Sequence, residues 1–524
     1  MRYVIGIDIG TSSTKAVLFD AEGRQVARSA QSYELKSPEP GAAEQNPDDI
    51  LQAATQTVAA VIEQSHIHPD VLLAISFSCA MHTLLLLDKN QQPITPVFTW
   101  ADNRSDRYTQ VPLDASQSLY ERTGIPNHPM SPAIKLIWLR HEHPDVFEKA
   151  ARIVCIKEYV LWHWCHEWVI DQSMASTTGL LNLRTADWDS VALTIAGILP
   201  MQLSPVVPTT YQLLLGNDYA SRLGVRPNLP VIVGASDGVL ANLGVGAIAP
   251  NTAAITLGTS GAVRRIIDAP TTAADTQLFC YALTDQRWVM GGAVNNGGIA
   301  LQWVRDRLVP YSVPPAAQNP TGTESSASTE PSASTYERMN AMARTVLPGS
   351  DGLIFHPYLL GERAPLWNAQ ARASFFGLTR EHSQAHFVRA VMEGVIYNLY
   401  TVFQSLEKAS GPIEKLRASG GFAHSALWQQ ILADVFNRPI EIPTVIESSA
   451  FGAAVLALVV LGEWKSLERV SEKGLLGCDS NGALLNSCQP IPKNVSRYQK
   501  ILPVYAQLSA DLSHHYRALQ QAIE

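Results

Sequence analysis

The sequence predicts an α/β protein built as two related domains, and three observations predict it. Apolar strand-like runs alternate with helical periodicity along most of the chain. The 524 residues exceed what one ordinary core organises. A short segment near the start also recurs near the middle: Ile7-Asp8-Ile9-Gly10-Thr11-Ser12 faces Ile255-Thr256-Leu257-Gly258-Thr259-Ser260. That separation is too long for a solenoid and suits duplicated domains.

In order, residues 3–9 form a short apolar strand, and residues 14–19 a second one joined to it by a glycine-containing turn. Residues 48–64 carry helical spacing behind the start signal Asn46-Pro47-Asp48. Residues 72–78 and 84–88 are again strand-like. Residues 230–234 make a compact strand that runs into Ala235-Ser236-Asp237-Gly238 and a helix reaching Leu243. The opening hairpin then repeats as 253–257, the turn Gly258-Thr259-Ser260-Gly261, and 262–267. The boundary falls near 245–252, giving domains 1–248 and 249–524. Residues 310–335 are rich in Pro, Ser, Thr, Ala and Glu and read as a surface insertion. The longest apolar run, 453–461, is far shorter than the roughly 20 residues of a membrane span and reads as a buried helix.

A net charge of −8 leaves no basic stripe to track a nucleic-acid backbone. The six cysteines (79, 155, 165, 280, 478 and 488) have neither metal-ligand nor disulfide-framework spacing. They predict reduced thiols in a cytoplasmic protein. The first residues enter a strand pattern directly, without a signal-peptide apolar region, so neither a membrane nor a nucleic-acid partner is expected.

A nucleotide phosphate is held by inward-pointing backbone N–H groups that come close to it. Glycine removes the Cβ obstruction and permits unusual φ, while Thr and Ser hydroxyls add donors. The segment Asp8-Ile9-Gly10-Thr11-Ser12-Ser13-Thr14-Lys15 supplies such a turn, with a carboxylate for Mg²⁺ and a lysine for phosphate charge. One such motif fits an ordinary hairpin turn equally well; its recurrence at Gly258, Thr259 and Ser260, opening the second domain, favours ATP. Neither turn has the Walker A pattern. A third cluster, Ser419-Gly420-Gly421-Phe422-Ala423-His424-Ser425, leads into a helical stretch at 427–436. A Gly-Gly turn at a helix start can take a nucleotide, although such turns are common.

Together these motifs resemble the FGGY carbohydrate kinases of the actin-like ATPase superfamily. The likeness spans nearly the whole chain, apart from 310–335 and part of the tail after about 465. It implies two ribonuclease-H-like domains around a central cleft, with ATP as co-substrate and Mg²⁺ as cofactor. It places Asp8, Thr11, Ser12 and Lys15 at the first phosphate site, and Gly258, Thr259 and Ser260 at the second. Gly298, Gly420, Gly421 and Ser425 would hold the nucleotide. The family's catalytic carboxylate lies in a Gly-x-x-Asp segment after a central strand, which here gives Asp237 in Gly234-Ala235-Ser236-Asp237. Phosphoryl transfer to an alcohol needs a carboxylate within reach of the hydroxyl proton. A plain helix N-cap is the other role open to Asp237. Asp8 and Asp237 are the expected metal ligands, and a homodimer is the family-level expectation.

Met81-His82 and Trp100-Ala101-Asp102-Asn103-Arg104 look like a sugar site, with an aromatic platform beside hydroxyl acceptors and a guanidinium. Spacing alone fits equally a core Trp100 with Asp102 and Arg104 as a surface pair. The finer likeness, carried by 99–105, 156–159, 294–298, 356–359 and 361–367, is to the gluconate-phosphorylating members. A sugar acid offers a carboxylate that arginine can hold with two parallel bonds. Arg104, Lys157 and Arg363, with His82 or His128, are the candidate cations, and Glu158 joins the substrate set. Two alternatives stay open: a xylulose, ribulose or polyol kinase of the same family, and a non-kinase actin-like ATPase.

Overall fold

The computed structural model describes residues 1–109, 119–309, 333–444, 447–471 and 486–523. Residues 310–332 of the expected insertion, and Cys478, lie outside the described residues. Residues 333–335 open the helix Ala333–Arg344.

The first sheet contains β1 (Tyr3–Ile9), β2 (Ser13–Asp20), β3 (Gln25–Ser32), β4 (Leu72–Cys79), β5 (Gln212–Leu214) and β6 (Pro230–Ser236). Their order is β5-β6-β4-β1-β2-β3. β1 and β2 form the expected antiparallel hairpin, while β4 lies parallel to both β1 and β6. The central strands are apolar almost throughout because both faces of the sheet are covered. Strand alternation divides β1: Ile5, Ile7 and Ile9 join the core that contains Ile50, Ala54 and Val58 of the helix Pro47–Ser65, whereas Val4 joins the opposite core. Asn46 caps that helix, accepting the Asp48 N–H at 2.9 Å.

The second sheet repeats the plan with β7 (Thr252–Leu257), β8 (Gly261–Ile267), β9 (Phe279–Thr284), β10 (Arg287–Val294), β11 (Lys415–Ser419), β12 (Ile440–Glu441) and β13 (Ser487–Cys488). Its order is β9-β10-β8-β7-β11-β12-β13. The hairpin β7–β8 again continues into parallel strands through β11 and β12. The repeat seen in the sequence is therefore a repeat of topology.

Chain order and spatial order part company near the C-terminus. The helix Ser448–Val460, reached only after the second sheet has begun, packs on the first sheet. Its Phe451, Ala453, Ala454 and Val455 share a core with Val4 and Ala74. Beyond it, Glu463 pairs with Arg2, and Trp464 donates to the Ala21 carbonyl. The helix Ser448–Val460 thus covers the first sheet from within the 249–524 stretch, while Glu468 and Ser471 just beyond it meet Arg287 and Arg417 of the second sheet. No helix among the described residues is long and apolar enough to cross a membrane.

Candidate active site

The parallel strands β1, β4 and β6 end side by side, with Ile9 and Ser236 both level with Cys79. Ligands in open α/β sheets bind outside the carboxyl ends of such strands. That edge carries Asp8 near the end of β1, Met81 and His82 just after β4, and Asp237 opening the helix Asp237–Gly244 after β6. The hairpin β7–β8 faces this edge. Between them lies a cavity of about 230 Å³, lined by Thr11, Met81, His82, Trp100 and Asp237 on one side and by Thr256, Ser260, Arg264, Tyr281 and Arg363 on the other. Met130, Phe279 and Trp367 add apolar wall.

The two carboxylates are held in defined orientations. Asp8 accepts the Ser78 hydroxyl at 2.8 Å, and Asp237 accepts the Gly238 N–H at 2.7 Å. Burial and then the neighbouring Asp237 push the Asp8 carboxyl up to about 6. Burial also raises Asp237, against the opposing pull of the Arg264 guanidinium.

The two Gly-Thr-Ser turns are closed by their own backbones, since Gly10 N–H donates to Ser13 O and Gly258 N–H to Ser260 O. Gly297 and Gly298 donate to the carbonyls of Thr259 and Gly258, fixing the start of the helix Gly298–Arg307 against the second turn. A Cβ on Gly420 (φ +112°) would sit 2.3 Å from the Leu257 carbonyl oxygen, so only glycine fits there. The space above Gly258 and Gly421 is clear, leaving room for a ligand. Ser425 caps the helix Ala426–Phe436 by accepting the Trp428 N–H, and its hydroxyl donates to Asn340. Thr11 accepts the Trp100 indole N–H at 3.0 Å, joining the first turn to the cavity wall that carries Trp100 and His82.

On that wall His82 is buried, and desolvation lowers it to about 3, so the ring is neutral. Its Nδ1 meets the Thr177 carbonyl at 2.7 Å and is therefore the N–H. Nε2 is then the acceptor for the Tyr281 hydroxyl at 3.2 Å. Arg363 lies over the Trp100 ring at 5.0 Å. It donates to the Val294 carbonyl, leaves Nε without a partner, and is lowered by burial only to about 10, so it stays charged. Arg264 has one long bond, Nη1 to Thr256 Oγ1 at 3.4 Å, and its Nε also lacks a partner.

Four expected substrate residues do not line the cavity. Arg104 is bound to Asp102 at 2.7 Å, Glu44 at 2.5 Å and Glu39 at 2.8 Å, and it stacks over Trp138. Asp102 is fully buried, holding Arg104 and the Ala43 N–H. Lys157 is buried against Asp171 at 2.5 Å and the Val233 carbonyl. Glu158 accepts the Cys155 N–H at the start of the helix Ile156–Cys165. Arg104 and Lys157 direct their charge to carboxylates of the first domain, away from the cavity, while Glu158 keeps one buried oxygen, Oε1, without a partner. Arg264 and Tyr281 were not anticipated. The signal was a pair of adjacent arginines, Arg264 and Arg265, inside the otherwise apolar strand Gly261–Ile267.

Residues 3–244 match the FGGY family of carbohydrate kinases, N-terminal domain, and residues 253–461 match the corresponding C-terminal domain. The chain is 44% identical over 519 residues to the gluconokinase of Bacillus subtilis (strain 168), across 98% of this chain and 97% of that one. Gluconate kinase from Lactobacillus acidophilus has a solved structure with TM-score 0.87 at 35% identity, covering 99% of both chains. Ligand-bound xylulose kinase from the same organism also matches with TM-score 0.87 at 35% identity, over 99% of this chain and all of that one.

Proposed function

The chain belongs to the FGGY family of carbohydrate kinases, and we propose that it transfers the γ-phosphoryl group of ATP to the C6 hydroxyl of D-gluconate, giving 6-phospho-D-gluconate and ADP. One observation carries the choice of a sugar acid. The cavity faces two guanidinium groups, Arg264 and Arg363, and neither enters an ion pair among the described residues. Two guanidinium groups outside any such ion pair, beside a partly buried cavity, call for an anionic ligand. The 44% identity to a gluconokinase supports the same choice.

In this proposal Asp237 is the base. Its Oδ1 is anchored by the Gly238 N–H, and the nearby Arg264 favours the charged form that a base needs. Trp100 offers a stacking surface for the carbon chain, and Arg363 grips the C1 carboxylate. Thr11, Ser12 and Lys15 meet the phosphates from the first domain, and Gly258, Thr259 and Ser260 meet them from the second. Gly298, Gly420, Gly421 and Ser425 form the nucleotide side. The raised proton affinity of Asp8 beside Asp237 fits a divalent cation, which would relieve the repulsion between the two carboxylates. Among the described residues no group of three or more such ligands is gathered, so Mg²⁺ would keep water and phosphate oxygens in its shell. When bound, the ion neutralises charge that develops on the transferring group. The five described cysteines are all unpaired, which agrees with a cytoplasmic setting.

Two measurements test the proposal. ADP release across gluconate, xylulose, ribulose, glycerol and xylitol should peak with gluconate; turnover of xylulose with none of gluconate would sink the sugar-acid assignment. Asp237→Asn should lower kcat by about 10³-fold while leaving ATP binding in place. A near-normal kcat would remove Asp237 as the base.

A further inference from the structure

Lys15 stands opposite Asp8 in the β1–β2 hairpin, so both side chains share one face of the sheet. That is the face covered by the helix Ser448–Val460. The residue before this helix, Glu447, reaches Lys15 from 432 positions along the chain, with Oε2 to Nζ at 2.9 Å. Its other oxygen takes the Arg28 guanidinium at 2.6 Å. An exposed pair of this kind would contribute little. The Glu447 side chain is only 8% exposed, however, and both of its oxygens are engaged. A desolvated carboxylate between two cations stays where it is put.

The helix that carries Glu447 is itself clamped to the catalytic elements through bare backbone. A Cβ on Gly6 of β1 would lie 2.0 Å from the Ala450 carbonyl oxygen. One on Gly244, ending the helix that Asp237 opens, would lie 1.9 Å from that of Ser448. One on Gly452 would lie 2.2 Å from that of Leu240. Ser449 also donates to the Asp237 carbonyl at 3.3 Å. The position of Glu447 relative to Asp8 and Asp237 is therefore set by contacts that allow no side chain to give way. Lysine has a flexible four-carbon stem and three donors. One donor goes to Glu447, and two remain for a phosphate.

We infer that Glu447 is a positioning residue for phosphoryl transfer: it holds the Lys15 ammonium at a fixed place beside Asp8, so that the lysine meets the nucleotide phosphates without first being ordered. This rests on the proposal that Lys15 is a phosphate ligand, and the test separates the two.

The test is steady-state kinetics on Lys15→Ala, Glu447→Gln and the double variant, with Glu447→Asp as a version that keeps the charge. Glu447→Gln should lower kcat/KM for ATP by about 30-fold and leave KM for gluconate unchanged. Lys15→Ala added to it should cost only about threefold more, because the two act as one unit. Glu447→Asp should fall between wild type and Glu447→Gln, and it serves as the readout should the glutamine variant fold poorly. Full multiplication of the two single effects would overturn the inference. So would a Glu447→Gln enzyme with lowered Tm but wild-type kinetics, which is what a purely structural role produces. Unchanged ATP kinetics in Lys15→Ala alone would remove Lys15 from the phosphate site, and the inference with it.

Discussion

Two groups of charged residues in this molecule look alike in sequence and behave oppositely in the structure. In the interior of the first domain, Arg104 meets Asp102, and Lys157 meets Asp171, each cation paired with a fully buried carboxylate. At the cleft, Asp8, Asp237, Arg264 and Arg363 enter no ion pair among the described residues, although Asp237 and Arg264 are close enough to influence each other. The first group is complete without a ligand, and the second is not. A charged residue near a cavity becomes a functional candidate when its hydrogen-bonding capacity is left over, and residue type alone does not reveal that.

The largest effect should come from the cleft side. Arg363→Ala is expected to raise KM for gluconate by about 10³-fold, within the range for a lost buried partner to a charged group, with a much smaller change in KM for ATP. Arg363→Lys should restore only part of this, because an ammonium cannot reproduce the planar fork and its stacking on Trp100. An unchanged gluconate KM in Arg363→Ala would move the carboxylate contact to Arg264 and break the contrast on its stronger side.

The interior group should respond in the other currency. Arg104→Ala leaves Asp102 buried without its partner and is expected to cost about 3 kcal/mol of stability, read as a lowered Tm. The KM for gluconate should stay at its wild-type value in the fraction that remains folded. A selective rise in that KM, with Tm unchanged, would return Arg104 to the substrate site.

How much of this was legible in the sequence follows from the range of the forces involved. The first hairpin, the Asn46 cap and the helix from Asp237 are decided by residues within a few positions of one another. Strand alternation, cap chemistry and glycine therefore located them to within a residue or two. The apolar run around 453–461 was read as a buried helix, and Ser448–Val460 is one. Its apolar character all round says that it is covered but not by what, so its docking on the first sheet was out of reach. Arg104 shows the same limit at the site. Its acceptors on Glu39 and Glu44 lie 65 and 60 positions away, and nothing local announces that they close on it. Arg264 was missed for the converse reason, since a strand pattern does not tell which face of β8 meets the cleft.

The smallest effect concerns the cleft carboxylates, and its sign is opposite to that of Arg104→Ala. The folded state holds the Asp8 carboxyl at about 6 against an ordinary value of 3.8, so folding takes up protons between these two values. Below about pH 4 the group is protonated in both states and contributes nothing; as pH rises toward 6 the folded state loses stability, and above 6 the full penalty is present. Asp8→Asn removes that penalty, at most about 3 kcal/mol, and should stabilise the apoprotein at pH 7, with the gain fading away at and below pH 4. The same variant should lose activity, because the proposed cation site loses a carboxylate. Chemical denaturation of wild type and variant at pH 7 and pH 4, without Mg²⁺, measures the difference. A variant less stable than wild type at pH 7 would mean that Asp8 is as well satisfied as Asp102, and the distinction between the two groups would then rest on the arginines alone.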